Sequence, residues 1–505
     1  MLLLFACANE PVDLLVTGTI HLDGSRTAQS IGVTQGVVTN LDEEVDALEV
    51  LEVGHVVPGM QDSHTHLLAG SFAMDRLLLL GVGSESVMLD KVAEYAAETP
   101  DEPWIVGYGW LREQLGEPNG RAIDEVVSDR PVILVDNSGH SAVVNSLALE
   151  RAGITADTPD PPDGTIARDE DGEPTGYLME GAMALVSGVA LADYDDELLS
   201  SGLVDAMDRF HSTGVTGVAE IMALPGFDLT RPWIYEDVEL PIRVTWYGPI
   251  FELDDVAALD EVRGLYESDR LRFGGGKIWV DGSMGTNAAW TQEPHADDPE
   301  EYGDHYFDTE ALTAIVTEAE ARGMPLKLHV NGDAAVDAAI TAFEAQALLT
   351  QPHTLEHAVL IAEGDLERIR ALGLIVSVQP SHVLPASLSD TSEAWGEERF
   401  DRAYDHAGLF DAGIPVAMGT DWPVWPEPSP LLTAWSASVR SEGAVDPGDV
   451  LDGYTSGSAA SLGRPDLGCL DVGCTADFVV LDGDPLDAAA LNEIGIEGVW
   501  IGGAP

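Results

Sequence analysis

The sequence predicts an α/β protein that is built around a parallel sheet and carries a small β-domain made from both ends of the chain. Three observations lead to this prediction. Both ends consist of short strand-like stretches separated by turns, whereas the long middle alternates strand-like runs with helical stretches. Such alternation favours a parallel sheet, either closed as a barrel or open. The length of 505 residues is too great for one compact core and leaves room for both parts.

The β-domain is predicted from the segments at the two ends. Residues 12–57 contain three strand-like stretches, and the C-terminal segment resumes the same pattern. We therefore assign residues 1–57 and 465–505 to one composite domain. The stretches are VDLLVTGTIHLDG, SIGVTQGVVTNL and ALEVLEVGHVVPG near the start, and LDVGCTADFVVLDGDPL and IEGVWIGG near the end.

The middle of the chain, residues 58–464, carries the alternating pattern. A bare barrel of alternating strands and helices needs about 250 residues, so this region must contain insertions. The longest insertion is expected over about residues 70–195, which include an acidic, proline-rich stretch. The strand-like runs include PVILVD, GVTGVAEI, IRVTWYG, GGKIWVDG, PLKLHV, TLEHAV, IVSVQP and PVAMGTD.

The charge balance limits the classes of partner. Eighty-nine acidic residues against 23 basic residues give a formal net charge of −66. Nucleic acid would be repelled, so we expect no nucleic-acid partner. The charge is compatible with a protein that stays soluble at high ionic strength, where screening weakens self-repulsion.

The three cysteines bear on location. Cys7 ends the stretch LFAC, which resembles a bacterial lipobox, although the segment before it is short and lacks a basic start. We expect a lipoprotein tethered to the cell-envelope membrane through Cys7, with a cytoplasmic protein that has an apolar N-terminus as the alternative. Cys469 and Cys474 could form a local disulfide in an oxidising compartment or remain reduced. No segment is long and apolar enough to predict a transmembrane helix.

Polar side chains stand at or near the ends of several predicted strands, where active sites of parallel barrels lie. The stretch GMQDSHTHLLAG places His64 and His66 two residues apart, so both point the same way on an extended chain. Imidazole and carboxylate groups are good ligands for Zn²⁺ and similar divalent ions. The pattern therefore predicts a metal site, to which later runs contribute Lys277, His329, His357 and Asp421.

Lys277 needs a separate argument because an ammonium group cannot bind a metal. Lysine is scarce in this chain and occurs only at Lys91, Lys277 and Lys327. Burial near cations would lower the pKa of Lys277. The neutral amine can add CO₂, and the resulting carbamate is a carboxylate that can bridge two metal ions.

Two other motifs point to different chemistry and are weaker. HTLEH, residues 353–357, fits the H-x-x-E-H pattern of metalloproteases, but that chemistry needs a helix, and this stretch has the features of a strand end. GGGK, residues 274–277, lacks the spacing of a phosphate-binding loop.

Taken together, the motifs resemble the amidohydrolase superfamily, and specifically the amidohydrolase-3 branch of YtcJ-like hydrolases, which includes N-substituted formamide deformylase. The resemblance implies a (β/α)₈ TIM-like barrel with insertions and a β-sandwich formed from both termini. It implies metal binding by His64, His66, carboxylated Lys277, His329, His357 and Asp421, with Asp421 as the catalytic proton shuttle. The matching segments are VVPGMQDSHTHL, DNSGHSAVVNSLALERAGI, KIWVDGSMGTNAA, LKLHVNGDAAVD, TLEHA, SVQPSH, GTDWPV and CTADFVVLDGDPL.

The activity that this resemblance implies is hydrolysis of a C–N, amide-type, non-peptide bond of a small molecule through a metal-activated hydroxide. One or two divalent metal ions per chain are expected, and zinc is the favoured metal. His140 and His382 are candidates to hold the substrate, and Trp110, Trp422 and Trp425 to line an aromatic pocket. Hydrolysis of cyclic amides or esters at the same site, and a non-catalytic barrel that binds a ligand, are the alternatives. A homodimer is expected because it is the default for large barrel enzymes.

Overall fold

The structure is a computed structural model that describes residues 11–161, 164–224, 227–296, 298–383, 395–439 and 443–505. Cys7, and with it the predicted lipid tether, lies outside the described residues. In chain order the strands are β1 Val12–His21, β2 Thr27–Thr34, β3 Val37–Leu41, β4 Ala47–Pro58, β5 Met60–Thr65, β6 Leu77–Leu78, β7 Ile105–Trp110, β8 Val132–Asp136, β9 Ser141–Val144, β10 Gly164–Arg168, β11 Pro174–Glu180, β12 Val215–Ile221, β13 Ala223–Leu224, β14 Phe227–Asp228, β15 Arg243–Pro249, β16 Leu271–Trp279, β17 Leu326–Val330, β18 Thr354–His357, β19 Ile375–Val378, β20 Val416–Met418, β21 Phe478–Leu481 and β22 Ile496–Trp500.

Helices connect most of these strands. The helix over Thr309–Ala321, for example, begins after Asp308, whose carboxylate accepts a hydrogen bond from the Ala311 N–H at 2.7 Å. The α-helices span Leu67–Met74, Glu85–Glu98, Arg112–Leu115, Gly120–Ile123, Ser146–Ala152, Ala184–Ala192, Asp196–Leu199, Leu203–Ser212, Leu253–Val262, Thr309–Ala321, Asp333–Glu344, Asp365–Leu372, Glu397–Phe400, His406–Asp411, Pro430–Ser438, Pro447–Asp452 and Ser458–Ser461. None of the described helices combines the length and the apolar character that crossing a bilayer requires.

Strands from both ends of the chain share one six-stranded sheet with the order β22-β21-β4-β1-β2-β3. The central strand β4 pairs with β1 in parallel and with β21 in antiparallel sense, with Val57 opposite Val479. A separate apolar core packs on this sheet and includes Val16, Ile31 and Phe478. Both ends of the chain are thus joined in one sheet, and its arrangement as a two-sheet sandwich stays a prediction.

Eight parallel strands form a TIM-like barrel with the order β5-β12-β15-β16-β17-β18-β19-β20. The barrel is nearly closed where β5 meets the end of β20, because the Asp421 N–H donates to the His64 carbonyl oxygen at 2.8 Å. Every residue of β5, β17, β18 and β19 is buried, which is typical of parallel strands that are covered on both faces. This closure brings the polar residues at the strand ends to one face.

Between β5 and β12 the chain forms a second six-stranded sheet with the order β6-β7-β8-β9-β11-β10. Its first three strands are parallel, and the others pair in antiparallel sense. Trp110 and Tyr177 belong to the separate core of this sheet. Elsewhere in the chain, Cys469 and Cys474 form a disulfide.

Candidate active site

A cavity of about 180 Å³ lies at the carboxyl ends of the barrel strands. Lys277 on β16 is fully buried and is not among the residues that line the cavity. The other five predicted metal ligands all line it: His64, His66, His329, His357 and Asp421. Residues that are up to about 350 positions apart in sequence therefore meet at one face of the barrel, as the strand-end pattern predicts.

Asp421 is surrounded by imidazole rings. Its Oδ1 lies 3.3 Å from His66 Nε2 and 3.6 Å from His64 Nε2. Its Oδ2 lies 3.7 Å from His382 Nε2 and 4.0 Å from His357 Nδ1. Burial alone would raise the pKa of Asp421, but the neighbouring histidines, first His64, hold it well below its usual range. The site therefore presents an ionised carboxylate among four imidazoles.

Burial keeps three histidines of the cavity, His64, His329 and His357, neutral at physiological pH. Burial lowers the pKa of His64 to about 4, and nearby Lys277 adds to this effect. Burial also lowers the pKa of His329 and of His357 well below the usual value, and each is lowered further by a neighbouring ring. A neutral imidazole keeps a lone pair that can bind a metal ion.

A buried carboxylate orients His64. The His64 Nδ1–H donates to Glu356 Oε2 at 2.5 Å, which directs Nε2 towards Asp421. The other oxygen of Glu356 accepts a hydrogen bond from Lys327 Nζ at 2.8 Å, and the same ammonium donates to the Ser63 carbonyl oxygen. Burial would raise the pKa of Glu356, but Lys327 and His64 lower it, so the carboxylate stays ionised. Sequence reasoning missed both Glu356 and Lys327.

The nitrogen of Lys277 makes no hydrogen bond in the described part of the chain. Burial lowers the pKa of this amine to about 8. The Nζ atom lies 5.3 Å from the ring centre of Trp279, and this aromatic contact does not satisfy its hydrogen-bonding capacity. A buried amine in this position is costly unless a further group joins it.

These side chains fit a divalent metal ion. Within the described residues, three donors from His64, His66 and Asp421 lie within 4.8 Å of one another, and so do three from His357, His382 and Asp421. Asp421 Oδ1 and His382 Nε2 are buried and make no hydrogen bond to other described residues. Two donor sets that share one carboxylate are compatible with one ion or with two.

Backbone strain is concentrated at the same place. His357, Ala358 and Asp421 adopt positive φ angles of 68°, 43° and 57°. Such left-handed conformations of residues other than glycine cost about 1–3 kcal/mol each and cluster at functional sites. The surrounding structure therefore holds two predicted ligands in conformations that they would not adopt alone.

The second sheet supplies another wall of the cavity. His140 Nδ1–H donates to Glu180 Oε2 at 2.7 Å, and the other Glu180 oxygen accepts from Thr286 Oγ1 at 2.6 Å. Burial opposes protonation of His140, but the Glu180 carboxylate raises its pKa above the usual value overall. His140 therefore presents a proton donor 5.6 Å, between ring centres, from His329. Glu180 has no distinctive sequence signal and could not have been selected in advance.

The predicted aromatic residues separate into two groups. Trp110 lines the cavity, together with Trp425, and its indole N–H donates to the Leu134 carbonyl oxygen at 2.9 Å. Trp422 does not line the cavity; its ring packs in the barrel core at 5.7 Å from the ring centre of Phe210. The structure thus brings His140, His382 and Trp110 to the site but not Trp422.

A nearly closed parallel barrel with buried histidines and a carboxylate at its strand ends defines the class of metal-dependent barrel hydrolases. The chain belongs to the amidohydrolase family, whose model matches residues 51–505. The match includes all six of the predicted metal ligands.

Individual relatives agree with this assignment. The chain is 30% identical to YtcJ of Bacillus subtilis, over 96% of this chain and 97% of that protein. It is 27% identical to N-substituted formamide deformylase of Arthrobacter pascens, over 94% of each chain. A metal-dependent hydrolase from Pyrococcus horikoshii has a similar structure, with a TM-score of 0.76 and 25% identity over 94% of this chain and 98% of that one.

Proposed function

We propose that this protein hydrolyses a C–N, amide-type bond of a small, non-peptide molecule in the barrel cavity. The observation that carries the proposal is the convergence of buried imidazoles on the ionised Asp421, together with a buried lysine whose nitrogen has no hydrogen-bond partner among the described residues. The similarity to N-substituted formamide deformylase over nearly the whole chain supports an amide substrate.

The proposed metal ligands are the six residues that the sequence pattern selected. We assign one or two divalent ions, with zinc as the first choice because nitrogen and carboxylate donors suit it. When bound, such an ion lowers the pKa of water and polarises a carbonyl group. Lys277 would contribute as a carbamate, since its amine meets no competing hydrogen-bond partner among the described residues and burial lowers its pKa to about 8. The ligands are His64, His66, Lys277, His329, His357 and Asp421.

Asp421 is assigned the role of proton shuttle. Its Oδ1 is buried and makes no hydrogen bond within the described residues, so the atom can accept a proton from the attacking water. The same carboxyl group then donates that proton to the leaving nitrogen. The neighbouring imidazoles favour the ionised form of Asp421 and so return it to the state that starts the cycle.

His140 and His382, which both line the cavity, are assigned to substrate binding. His140, whose pKa the Glu180 carboxylate raises, can donate a hydrogen bond to a carbonyl oxygen on which negative charge develops. His382 stands 3.7 Å from Asp421 and reaches the cavity from the segment after β19. Burial lowers the pKa of His382, so this ring is neutral and can accept a hydrogen bond from substrate N–H.

The segment at about residues 70–195 determines the substrate, in this proposal, because it provides Trp110 and His140 to the cavity wall. The division of the chain is then a composite domain of residues 1–57 and 465–505, and a hydrolase barrel of residues 58–464 that carries the insertion. A cavity of about 180 Å³ with tryptophan in its wall suits a compact substrate with an apolar substituent.

The test combines metal analysis with a substrate panel. Protein is purified without chelator as wild type, Lys277→Ala and Lys91→Ala, the last being a matched lysine variant on the helix Glu85–Glu98, away from the cavity. We expect one to two Zn per chain in the wild type and in Lys91→Ala, with loss in Lys277→Ala. Release of amine from a series of N-substituted formamides, beside cyclic amides and esters, should follow the metal content. Absence of metal from all three proteins would refute the proposal.

A further inference from the structure

A second group of metal-ligating side chains lies in the composite sheet, outside the barrel cavity. His21 ends β1, His55 lies on the neighbouring strand β4, and Asp484 follows β21, which pairs with the other edge of β4. The three residues therefore come from two neighbouring strands and from the loop after β21, which belongs to the C-terminal part of the chain.

The spacing of the donor atoms fits a single cation. His21 Nε2 lies 3.1 Å from His55 Nδ1 and 4.0 Å from Asp484 Oδ1. The three donor atoms lie within 4.8 Å of one another. Two ligand atoms of a tetrahedral zinc site are about 3.3 Å apart when each is about 2.0 Å from the ion. The pair of imidazole nitrogens already has this separation, and the Asp484 side chain is 53% exposed and so has room to adjust.

The burial and contacts of the His21 side chain also favour a cation site. The residue is only 2% exposed, and its Nδ1 has no hydrogen-bond partner among the described residues. Within the described residues, the polar contacts of the His21 side chain are made by Nε2, which faces His55 and Asp484. His55 is partly accessible and Asp484 is exposed, so an ion can enter from solvent. A net charge of −66 raises the concentration of cations near the surface.

We propose that His21, His55 and Asp484 form a binding site for a divalent transition-metal ion of the zinc type, separate from the barrel centre. The bound ion would join β1 and β4 to the loop after β21, and so link the N-terminal strands to the C-terminal segment. Its role is structural, because none of its three ligands lines the barrel cavity. The proposal does not depend on the hydrolase assignment.

The experiment compares the zinc stoichiometry of four proteins in a buffer that does not bind metal. These are wild type, His55→Gln, Asp484→Asn and the control His211→Gln, which alters a histidine at the end of the helix Leu203–Ser212. His55 and Asp484 are chosen because neither is fully buried, whereas replacing His21 could disturb the core. After dialysis against ZnCl₂, we expect one Zn fewer per chain in His55→Gln than in wild type or His211→Gln. We expect the zinc affinity of this site to fall at least tenfold in Asp484→Asn.

Thermal unfolding provides the second readout. Zinc that binds only the folded state raises Tm, and we expect part of this rise to be lost in His55→Gln while the zinc content of the barrel is kept. Equal stoichiometry and equal Tm shifts in all four proteins would overturn the proposal and leave the 3.1 Å contact as an N–H···N hydrogen bond. Loss of zinc from Lys277→Ala with the composite-sheet zinc retained would separate this site from the barrel centre.

Discussion

Replacing Glu356 by glutamine should weaken metal binding although none of the proposed metal ligands is replaced. The substitution keeps the size of the side chain and removes its charge. It leaves the ammonium of Lys327 buried beside a neutral amide, and it deprives the His64 Nδ1–H of an ionised acceptor that lies 2.5 Å away. All three side chains are buried, so solvent cannot replace the lost interaction.

The magnitude follows from the burial of this group. Breaking a fully buried ion pair by removing one charge costs about 3–5 kcal/mol of folding free energy. The loss of the carboxylate that orients a metal-binding histidine typically lowers metal affinity about 10–100-fold. We therefore expect Glu356→Gln to lower both the stability of the metal-free protein and the affinity for zinc.

Two measurements separate these effects. Urea unfolding of the metal-free protein reports the change in folding free energy, and competition with a chromophoric chelator reports zinc affinity. Glu320→Gln is the matched control because Glu320 accepts a hydrogen bond from buried His353 at 2.6 Å, outside the cavity. The control should lose stability and keep wild-type zinc affinity. If Glu356→Gln binds zinc as tightly as wild type, the orienting role of Glu356 is wrong.

Three further predictions concern other parts of the molecule. Because burial lowers the pKa of Lys277 to about 8, the initial rate of CO₂ addition to the metal-free protein at fixed dissolved CO₂ should rise about tenfold per pH unit below pH 8, and by only about twofold in total above it, as the fraction of neutral amine levels off. Isotope-labelled CO₂ measures this, and a tenfold rise per unit that continues to pH 10 would indicate an unperturbed amine. Asp421→Asn should lower kcat at least about 100-fold, measured with the amide found in the substrate panel, because it removes the proton shuttle; a kcat within tenfold of wild type would contradict this role. Gly332→Ala should lower the free energy of unfolding by about 1–3 kcal/mol, because the new methyl group would overlap the Trp290 carbonyl oxygen. Gly364→Ala, where a Cβ meets no described atom within 4 Å, should change it by less than about 1 kcal/mol, and equal effects in urea unfolding would exclude the overlap as the cause.

Much of the candidate site was predictable because its ligands stand at strand ends. His64, His329 and His357 each occupy the last or next-to-last position of their strands β5, β17 and β18. The parallel barrel then brings these ends to one face without further information.

The partners of these ligands were not predictable in the same way. Glu356 and Lys327 lie inside strands, and their meaning depends on which strands become neighbours and which side chains face each other across them. Glu180 reaches His140 from another strand of the second sheet. Trp422 shows the opposite error, since a large aromatic residue next to the proposed catalytic residue Asp421 has the same sequence signature whether it faces the cavity or the core.

The pairing of β4 with β21 has a consequence for how the chain is made. Val57 and Val479, which face each other in this pair, are about 420 residues apart. The edge of β4 that pairs with β21 therefore stays uncovered until most of the polypeptide has been synthesised. Synthesis at about 5–20 residues per second gives a delay of at least about 20 seconds. During that time the unpaired edge of β4 can form hydrogen bonds with strands of other chains or with the wrong strand of the same chain. A chaperone that shields β4 would therefore raise the yield of folded protein.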